Sequence, residues 1–299
     1  MSAIEELASA VATVAETVGT SVVGIGRDNR GAGVVTADGQ VVTNAHNLRG
    51  GEVTVTFADG RSTTGTVTAV DADGDLAVVA VDTAGARAIE WSSGDAAKVG
   101  DAVFGVGSTR GGGIRVTFGL VSAIERAFRG PGGRRIAGTI EHTAPLAPGS
   151  SGGALVDGNG RLVGLNTNRI GEGFYLALPA DDALKTRVEA LGRGESAKRQ
   201  RLGVAIAPNH VARRLRRSVG LPERDGILVR GVEDGSAAAT AGMEVGDLIV
   251  KAGDRDIRDA DDLQDALAAL EPPFDLGIVR GAEDKTLSVA KPGRTPGDA

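Results

Sequence analysis

The sequence predicts a mainly β protein followed by a second, smaller unit. Three observations carry that reading. Valine-rich stretches with apolar–polar alternation recur through much of the chain, the pattern of half-buried strands. Short turns built on Asp-Gly and similar pairs separate these stretches at even spacing, with almost no helical period between them, which suggests barrels or a sandwich. Aromatic residues make up only 3% of a chain that is 41% hydrophobic, so the cores must be filled by Val, Ala, Leu and Ile.

Taken in order, residues 3–18 read as a helix, because Ile4, Leu7, Val11, Val14 and Val18 recur at helical spacing. From Ser21 the period drops to two. Residues 22–25 and 33–36 read as strands. Ala37-Asp38-Gly39-Gln40 makes a hairpin turn into a third strand, 41–46, that ends in a histidine. Residues 52–57 and 62–70 form another hairpin around Ala58-Asp59-Gly60-Arg61. The turn Asp71-Ala72-Asp73-Gly74-Asp75 leads into the apolar strand 76–81. Residues 102–106, 115–124, 138–142, 154–156, 161–166 and 173–178 continue the β pattern, and 181–191 read as a helix. The stretch after it, Gly192-Arg193-Gly194-Glu195-Ser196-Ala197-Lys198-Arg199-Gln200-Arg201, is polar, lacks an apolar period and reads as a linker. A chain of 299 residues has room for two domains. We expect one at 1–191, a linker at 192–200, a second at 201–292 and a disordered tail at 293–299.

Composition excludes several functions. The net charge of −6 argues against a nucleic-acid protein. The absence of Cys excludes disulfides, thiolate nucleophiles and Cys-based metal sites. The three histidines, His46, His142 and His210, lack metal-ligand spacing, so a zinc site is not expected, and the triad mechanism considered below implies neither a metal nor an organic cofactor. Residues 1–20 carry Glu5, Glu6 and Glu16, and the first basic side chain is Arg27, so neither part of a secretory signal is present. No run approaches the length of a membrane span. As written the chain reads as cytoplasmic, or as periplasmic or extracellular if a leader has been removed.

One stretch carries chemistry: Pro145-Leu146-Ala147-Pro148-Gly149-Ser150-Ser151-Gly152-Gly153-Ala154-Leu155. A nucleophilic serine needs a free hydroxyl and backbone N–H groups turned inward to hold a developing oxyanion. Flanking glycines allow the backbone angles this requires, and Gly149 can turn its N–H into the same space as that of Ser151. A serine also needs a base, and the base needs a buried carboxylate to fix its tautomer. The candidates occur in the order His46, Asp75, Ser151, the chain order of chymotrypsin-like proteases. His142 reads as structural, and Asp71, Asp73 and Asp82 as solvated turn carboxylates. Ser150 is the rival nucleophile, with a side chain expected to point away from His46.

Thr43-Asn44-Ala45-His46, Asp75-Leu76-Ala77-Val78-Val79 and Pro148-Gly149-Ser150-Ser151-Gly152-Gly153-Ala154-Leu155 resemble the three catalytic signatures of the HtrA (DegP/DegS-like) serine proteases. The resemblance runs from about residue 3 to about residue 292. It implies a chymotrypsin-like double β-barrel protease domain followed by a small α/β PDZ domain. It also implies Ser151 as nucleophile, His46 as general base and then acid, Asp75 as orienting carboxylate, and the N–H groups of Gly149 and Ser151 as oxyanion hole. The primary pocket would be lined by Leu146 and by Thr167-Asn168-Arg169. With no carboxylate around Pro145-Leu146-Ala147, small or medium aliphatic side chains are expected before the cut. Two stretches depart from the family. Glu141-His142-Thr143-Ala144-Pro145-Leu146 replaces a pattern closer to Gln-Thr-Asp-Ala-Ala-Ile, and Asn47-Leu48 stands where Val-Val is usual. Neither is expected to touch the three residues. HtrA proteins commonly form trimers through aromatic residues near the N-terminus; this segment has none.

Beyond the linker, Leu202-Gly203-Val204, Gly235-Ser236-Ala237-Ala238-Ala239, Ala241-Gly242-Met243 and Gly246-Asp247-Leu248-Ile249 resemble a PDZ domain of the HtrA arrangement. Leu202, Gly203 and Val204 would form the nest for a peptide C-terminal carboxylate and start the pairing strand. A helix at 261–270, carrying Leu263, Ala266, Leu267 and Leu270, would form the other wall. The basic cluster Arg213, Arg214, Arg216 and Arg217 reads as a solvated helix face. The implied function is an endopeptidase acting on unfolded or misfolded polypeptides through an acyl-enzyme, a quality-control activity. Peptide C-termini would occupy the PDZ groove, and a homotrimer is the implied assembly. The rival is a catalytically silent, chaperone-like peptide-binding protein that keeps the fold; all three filled positions argue against it. A serine esterase is a third reading, which the PDZ motifs disfavour.

Overall fold

The computed structural model describes residues 2–92, 96–130, 133, 135–196 and 201–290. The chain forms two compact units, Met1–Ala197 and Lys198–Ala299. Part of the linker expected at 192–200, and all of the tail expected at 293–299, lie outside the described residues.

The first unit begins with helix α1 (Ala3–Val18), started by a capping box in which Ser2 and Glu5 each hold the other's backbone N–H. Strands β1 (Val22–Ile25), β2 (Gly31–Ala37), β3 (Gln40–Thr43), β4 (Glu52–Thr56), β5 (Ser62–Asp71) and β6 (Leu76–Ala80) close into a barrel in the order β1-β2-β3-β6-β5-β4. Strands β7 (Ala102–Ser108), β8 (Ile114–Arg129), β9 (Arg135–His142), β10 (Ala154–Val156), β11 (Leu162–Ile170) and β12 (Phe174–Pro179) close a second barrel in the order β10-β11-β12-β9-β8-β7. Helix α2 (Asp182–Gly192) ends the unit, with Asp181 capping its first turn through Leu184 N–H at 2.8 Å.

Strand alternation explains the three cores. Val23, Ile25, Val35, Val41, Val55, Phe57, Val79 and Val81 fill the first barrel. Val103, Val121, Ile140, Leu155 and Ala177 fill the second. The other faces of the same strands meet between the barrels and under both helices, where Val22, Val34, Val42 and Val78 pack with Phe104, Val106, Leu162, Leu165, Val14, Val18, Leu184 and Val188. Trp91, bridged to Leu162, edges this core. The expected strand at 41–46 stops at Thr43, and His46 lies instead on a 3-10 turn, Ala45–Asn47.

The second unit is a sheet ordered β13-β14-β15-β17-β18, with β16 paired to β15. Its strands are β13 (Val204–Ala207), β14 (Ile227–Val232), β15 (Leu248–Ala252), β16 (Arg255–Asp256), β17 (Phe274–Arg280) and β18 (Glu283–Val289). Helices α3 (Asn209–Ser218), α4 (Ala237–Thr240) and α5 (Ala260–Ala269) complete it. The basic cluster is not uniformly solvated. Arg213 and Arg217 pair with Asp225 and Glu223, but Arg216 is buried and donates to the carbonyls of Pro222 and Gly281 at 2.9 and 3.1 Å. Its long stem suits an apolar setting, and the carbonyls replace water around the head.

Leu165 is 1% exposed at the junction of the two barrels. Leu165→Ala should lower the unfolding free energy by about 3 kcal/mol in denaturant titration, the usual scale for an aliphatic cavity. An unchanged midpoint would contradict this packing.

Candidate active site

The site starts at the turn before β6. Asp75 takes left-handed backbone angles, with φ +52°, unusual for a residue other than glycine. The turn is tied from both ends. Asp71 accepts from Gly74 N–H at 2.9 Å and from Arg187 of α2 at 2.6 Å. Asp71, expected to be solvated, is therefore an anchor. The carbonyl of Asp75 accepts from Asn44 Nδ2 at 3.0 Å.

The Asp75 carboxylate is fully buried, and a buried ion must be matched by donors. It has three. His46 N–H reaches Oδ1 at 3.1 Å, Thr167 Oγ1 donates to Oδ2 at 2.8 Å, and His46 Nδ1 lies 3.0 and 2.9 Å from the two oxygens. An ionised carboxylate only accepts, so Nδ1 carries the proton and Nε2 keeps its lone pair. The His46 side chain is about one-third exposed (33%), so the ring is not sealed from solvent.

Ser151 approaches this pair through Thr167. Its hydroxyl donates to the Thr167 carbonyl at 2.8 Å, and the Thr167 hydroxyl is bound to Asp75. Among the described residues no hydrogen bond joins Ser151 Oγ to His46. The nucleophile loop requires glycine at particular points. Gly149 has φ +87°, and a Cβ there would lie 2.3 Å from the Asn29 carbonyl oxygen. Gly152 has φ +86°, and its Cβ would lie 2.2 Å from the Ala32 carbonyl oxygen. The N–H groups of Gly149 and Ser151 donate to no described residue, whereas that of Ser150 is bound to Ala147 O at 3.1 Å. Ser150 is buried against Gly107 of β7.

The remaining expected residues fall in different settings. Leu146 is half-buried and leans over Gly105, where a Cβ would lie 2.8 Å from its Cδ2. Thr167 is buried. Asn168 and Arg169 are exposed beside the bulge in β11, and Arg169 Nε folds back to the Gly171 carbonyl at 2.8 Å. Asn47, expected to stand clear, bonds the Ser151 carbonyl through Nδ2 at 2.9 Å. In the second unit, Gly203 has φ +75°, and its Cβ would lie 2.3 Å from Ser236 Cβ. The N–H groups of Leu202 and Gly203 donate to no described residue, and Val204 opens strand β13. Leu263 and Leu267 are buried in that unit's core.

His142 is fully buried in the second barrel, stacked on Tyr175. Asn166 Nδ2 donates to Ala154 O at 2.8 Å, so its Oδ1 must accept from His142 Nε2 at 3.1 Å. Nδ1 is left bare and has no partner among the described residues.

Two families match this chain. A trypsin-like peptidase domain matches residues 31–165, which contain His46, Asp75 and Ser151, and a PDZ domain matches residues 228–280. A solved structure of the HtrA-type protease AlgW with decapeptide superposes with a TM-score of 0.76 at 25% identity, covering 96% of this chain and 99% of that one. The chain belongs to the HtrA family. Among curated relatives it is 30% identical over 279 residues to the putative serine protease HhoB of Synechocystis sp., covering 89% of this chain and 66% of HhoB. It is 32% identical over 279 residues to the serine protease PepD of Mycobacterium tuberculosis, covering 83% of this chain and 57% of PepD. This HtrA chain thus spans between about half and two thirds of the length of such relatives. No helix among its described residues is long and apolar enough to cross a membrane.

Burial pushes the His142 imidazole down from 6.5 to about 4, against a smaller upward pull from its bond with Asn166. The unfolded chain therefore takes up this proton first as pH falls. Stability is full above about pH 6.5 and is lost as pH drops toward about 4. Relative to His142→Gln, the wild type should lose on the order of 2–3 kcal/mol more between about pH 7.5 and about pH 4.5 in urea unfolding. Identical pH slopes would contradict this.

Proposed function

We propose that this chain is a serine endopeptidase of the HtrA type, cleaving unfolded or misfolded polypeptides through an acyl-enzyme on Ser151. The observation that carries the reading is the Asp75 carboxylate, which holds His46 by its Nδ1 proton and meets Ser151 through Thr167. In the proposed mechanism, the Ser151 hydroxyl leaves the Thr167 carbonyl by rotation about its Cα–Cβ bond and turns to His46 Nε2. Nε2 takes the proton as Oγ bonds to the scissile carbonyl carbon, and Asp75 stabilises the imidazolium. The N–H groups of Gly149 and Ser151, which donate to no described residue, receive the oxyanion. Collapse breaks the C–N bond, and His46 returns the proton to the departing amine. Water then repeats the sequence on the ester and frees Ser151.

The second unit fits a peptide-binding role. The N–H groups of Leu202 and Gly203, which donate to no described residue, suit a terminal carboxylate, and β13 pairs only with β14 among the described strands. An extended peptide would add beside β13. The relative AlgW is described with a decapeptide and with a tripeptide, in keeping with peptide recognition here. A homotrimer remains the proposed assembly.

Casein digestion should be lost in Ser151→Ala, and a fluorophosphonate probe should label only the wild type. Asp75→Asn should lower kcat by about 10⁴-fold, the scale known for the Ser-His-Asp triad of the chymotrypsin superfamily, because the amide favours the wrong tautomer. Wild-type protein that hydrolyses small esters but not casein would favour an esterase, and one inert to both would favour a silent binding protein. Sequencing the casein fragments should show Val, Ala, Ile or Leu before the cut; a dominant Arg or Lys would overturn the pocket reading.

A further inference from the structure

We infer that Asn47 is a positioning residue: its side-chain amide holds the main chain of Ser151 to the turn that carries His46, and so sets the separation of base and nucleophile across the two barrels. The inference rests on the protease reading above. Asn47 is 2% exposed and follows His46 directly on the 3-10 turn. Its Nδ2 donates to the Ser151 carbonyl and to Thr43 Oγ1, each at 2.9 Å. The amide can face only one way. The Ser151 carbonyl has no proton to give, and the Thr43 hydroxyl spends its own on the Ala32 carbonyl at 2.7 Å, so both neighbours require a donor. Space for the side chain comes from Gly31, where a Cβ would lie 2.2 Å from Asn47 Cγ.

The Ser151 carbonyl has a second donor, Ala32 N–H at 2.7 Å, which ties it to β2. The two ties differ in what they fix. Ala32 fastens the nucleophile loop to the first barrel, whereas Asn47 fastens it to the turn bearing the general base. Losing Asn47 therefore leaves the loop docked but removes its register with His46. Register matters because proton transfer needs the serine oxygen within about 2.6–3.2 Å of Nε2. A misplacement of about 1 Å can cost roughly 100-fold in rate. Asn44, three residues earlier, holds the Asp75 carbonyl in the same manner, so one short turn grips the other two members of the site.

The test uses the full chain, a fluorophosphonate probe and casein. Asn47→Val removes the donor. Asn47→Asp keeps the shape, cannot donate when ionised and can donate when protonated. For Asn47→Val, the labelling rate constant and kcat should fall by about 10- to 100-fold. KM should stay within about twofold, and the final labelled fraction should match wild type. For Asn47→Asp, the rate relative to wild type should be low at about pH 8 and recover several-fold toward about pH 5.5, as its own carboxyl takes up a proton. An Asn47→Val rate constant equal to wild type, or a reduced labelled fraction with an unchanged rate constant, would overturn the role and leave only packing. If Asn47→Val does not fold, Asn47→Asp decides, and a pH-independent ratio overturns the inference. Wild-type protein that fails to label would overturn the protease reading and this role together, whereas wild-type labelling with unaffected variants overturns this role alone.

Discussion

The site depends on a charge kept out of water. The Asp75 carboxylate is fully buried, on a residue held in the left-handed region, and an isolated buried ion would be too costly to persist. Three donors make it tolerable, and they come from the turn after β3 and from β11, so the two barrels must close together before the ion is satisfied. The same requirement orients His46 and brings Thr167 beside Ser151. Arg187 of α2 reinforces the arrangement from outside by clamping Asp71 at the far end of the turn.

Much of this was legible from the residues. The valine alternation marked the strands of both barrels, since a buried face every second residue leaves a periodic trace. The order His46, Asp75, Ser151 pointed to the chemistry, and the glycines around Ser151 stand where the backbone needs them. Other features left no local trace. Arg187 and Asp71 are 116 positions apart, and nothing near either residue announces the pair. Thr167 read only as a pocket residue, although its hydroxyl and carbonyl serve two different members of the site. Asn47 looked like a neutral departure because its partners, Thr43 and the Ser151 main chain, meet it only once β2, β3 and the nucleophile loop are packed. Arg216 misled for the opposite reason. Arginine periodicity suggests a wet face, but a long stem can cross an apolar layer to reach carbonyls.

The two units share one backbone feature that suits a negative charge. In each, a glycine at positive φ turns the chain so that neighbouring N–H groups have no partner among the described residues: Gly149 with Ser151, and Gly203 with Leu202. Such concavities attract anions without a charged side chain. In the first unit the anion is proposed to be transient, an oxygen on a reacting carbon. In the second it is proposed to be lasting, the terminal carboxylate of a bound peptide. The same backbone chemistry thus fits catalysis in one place and recognition in the other.

The aliphatic character of the cores has a spectroscopic consequence. The chain has one tryptophan, Trp91, and one tyrosine, Tyr175, and both belong to the double-barrel unit. Trp91 sits beside Leu162 at the edge of the core between the barrels. Its emission therefore reports the opening of that unit alone, since the second unit has neither Trp nor Tyr. Circular dichroism sees both, so the difference between the two melting curves isolates the unit that carries neither Trp nor Tyr.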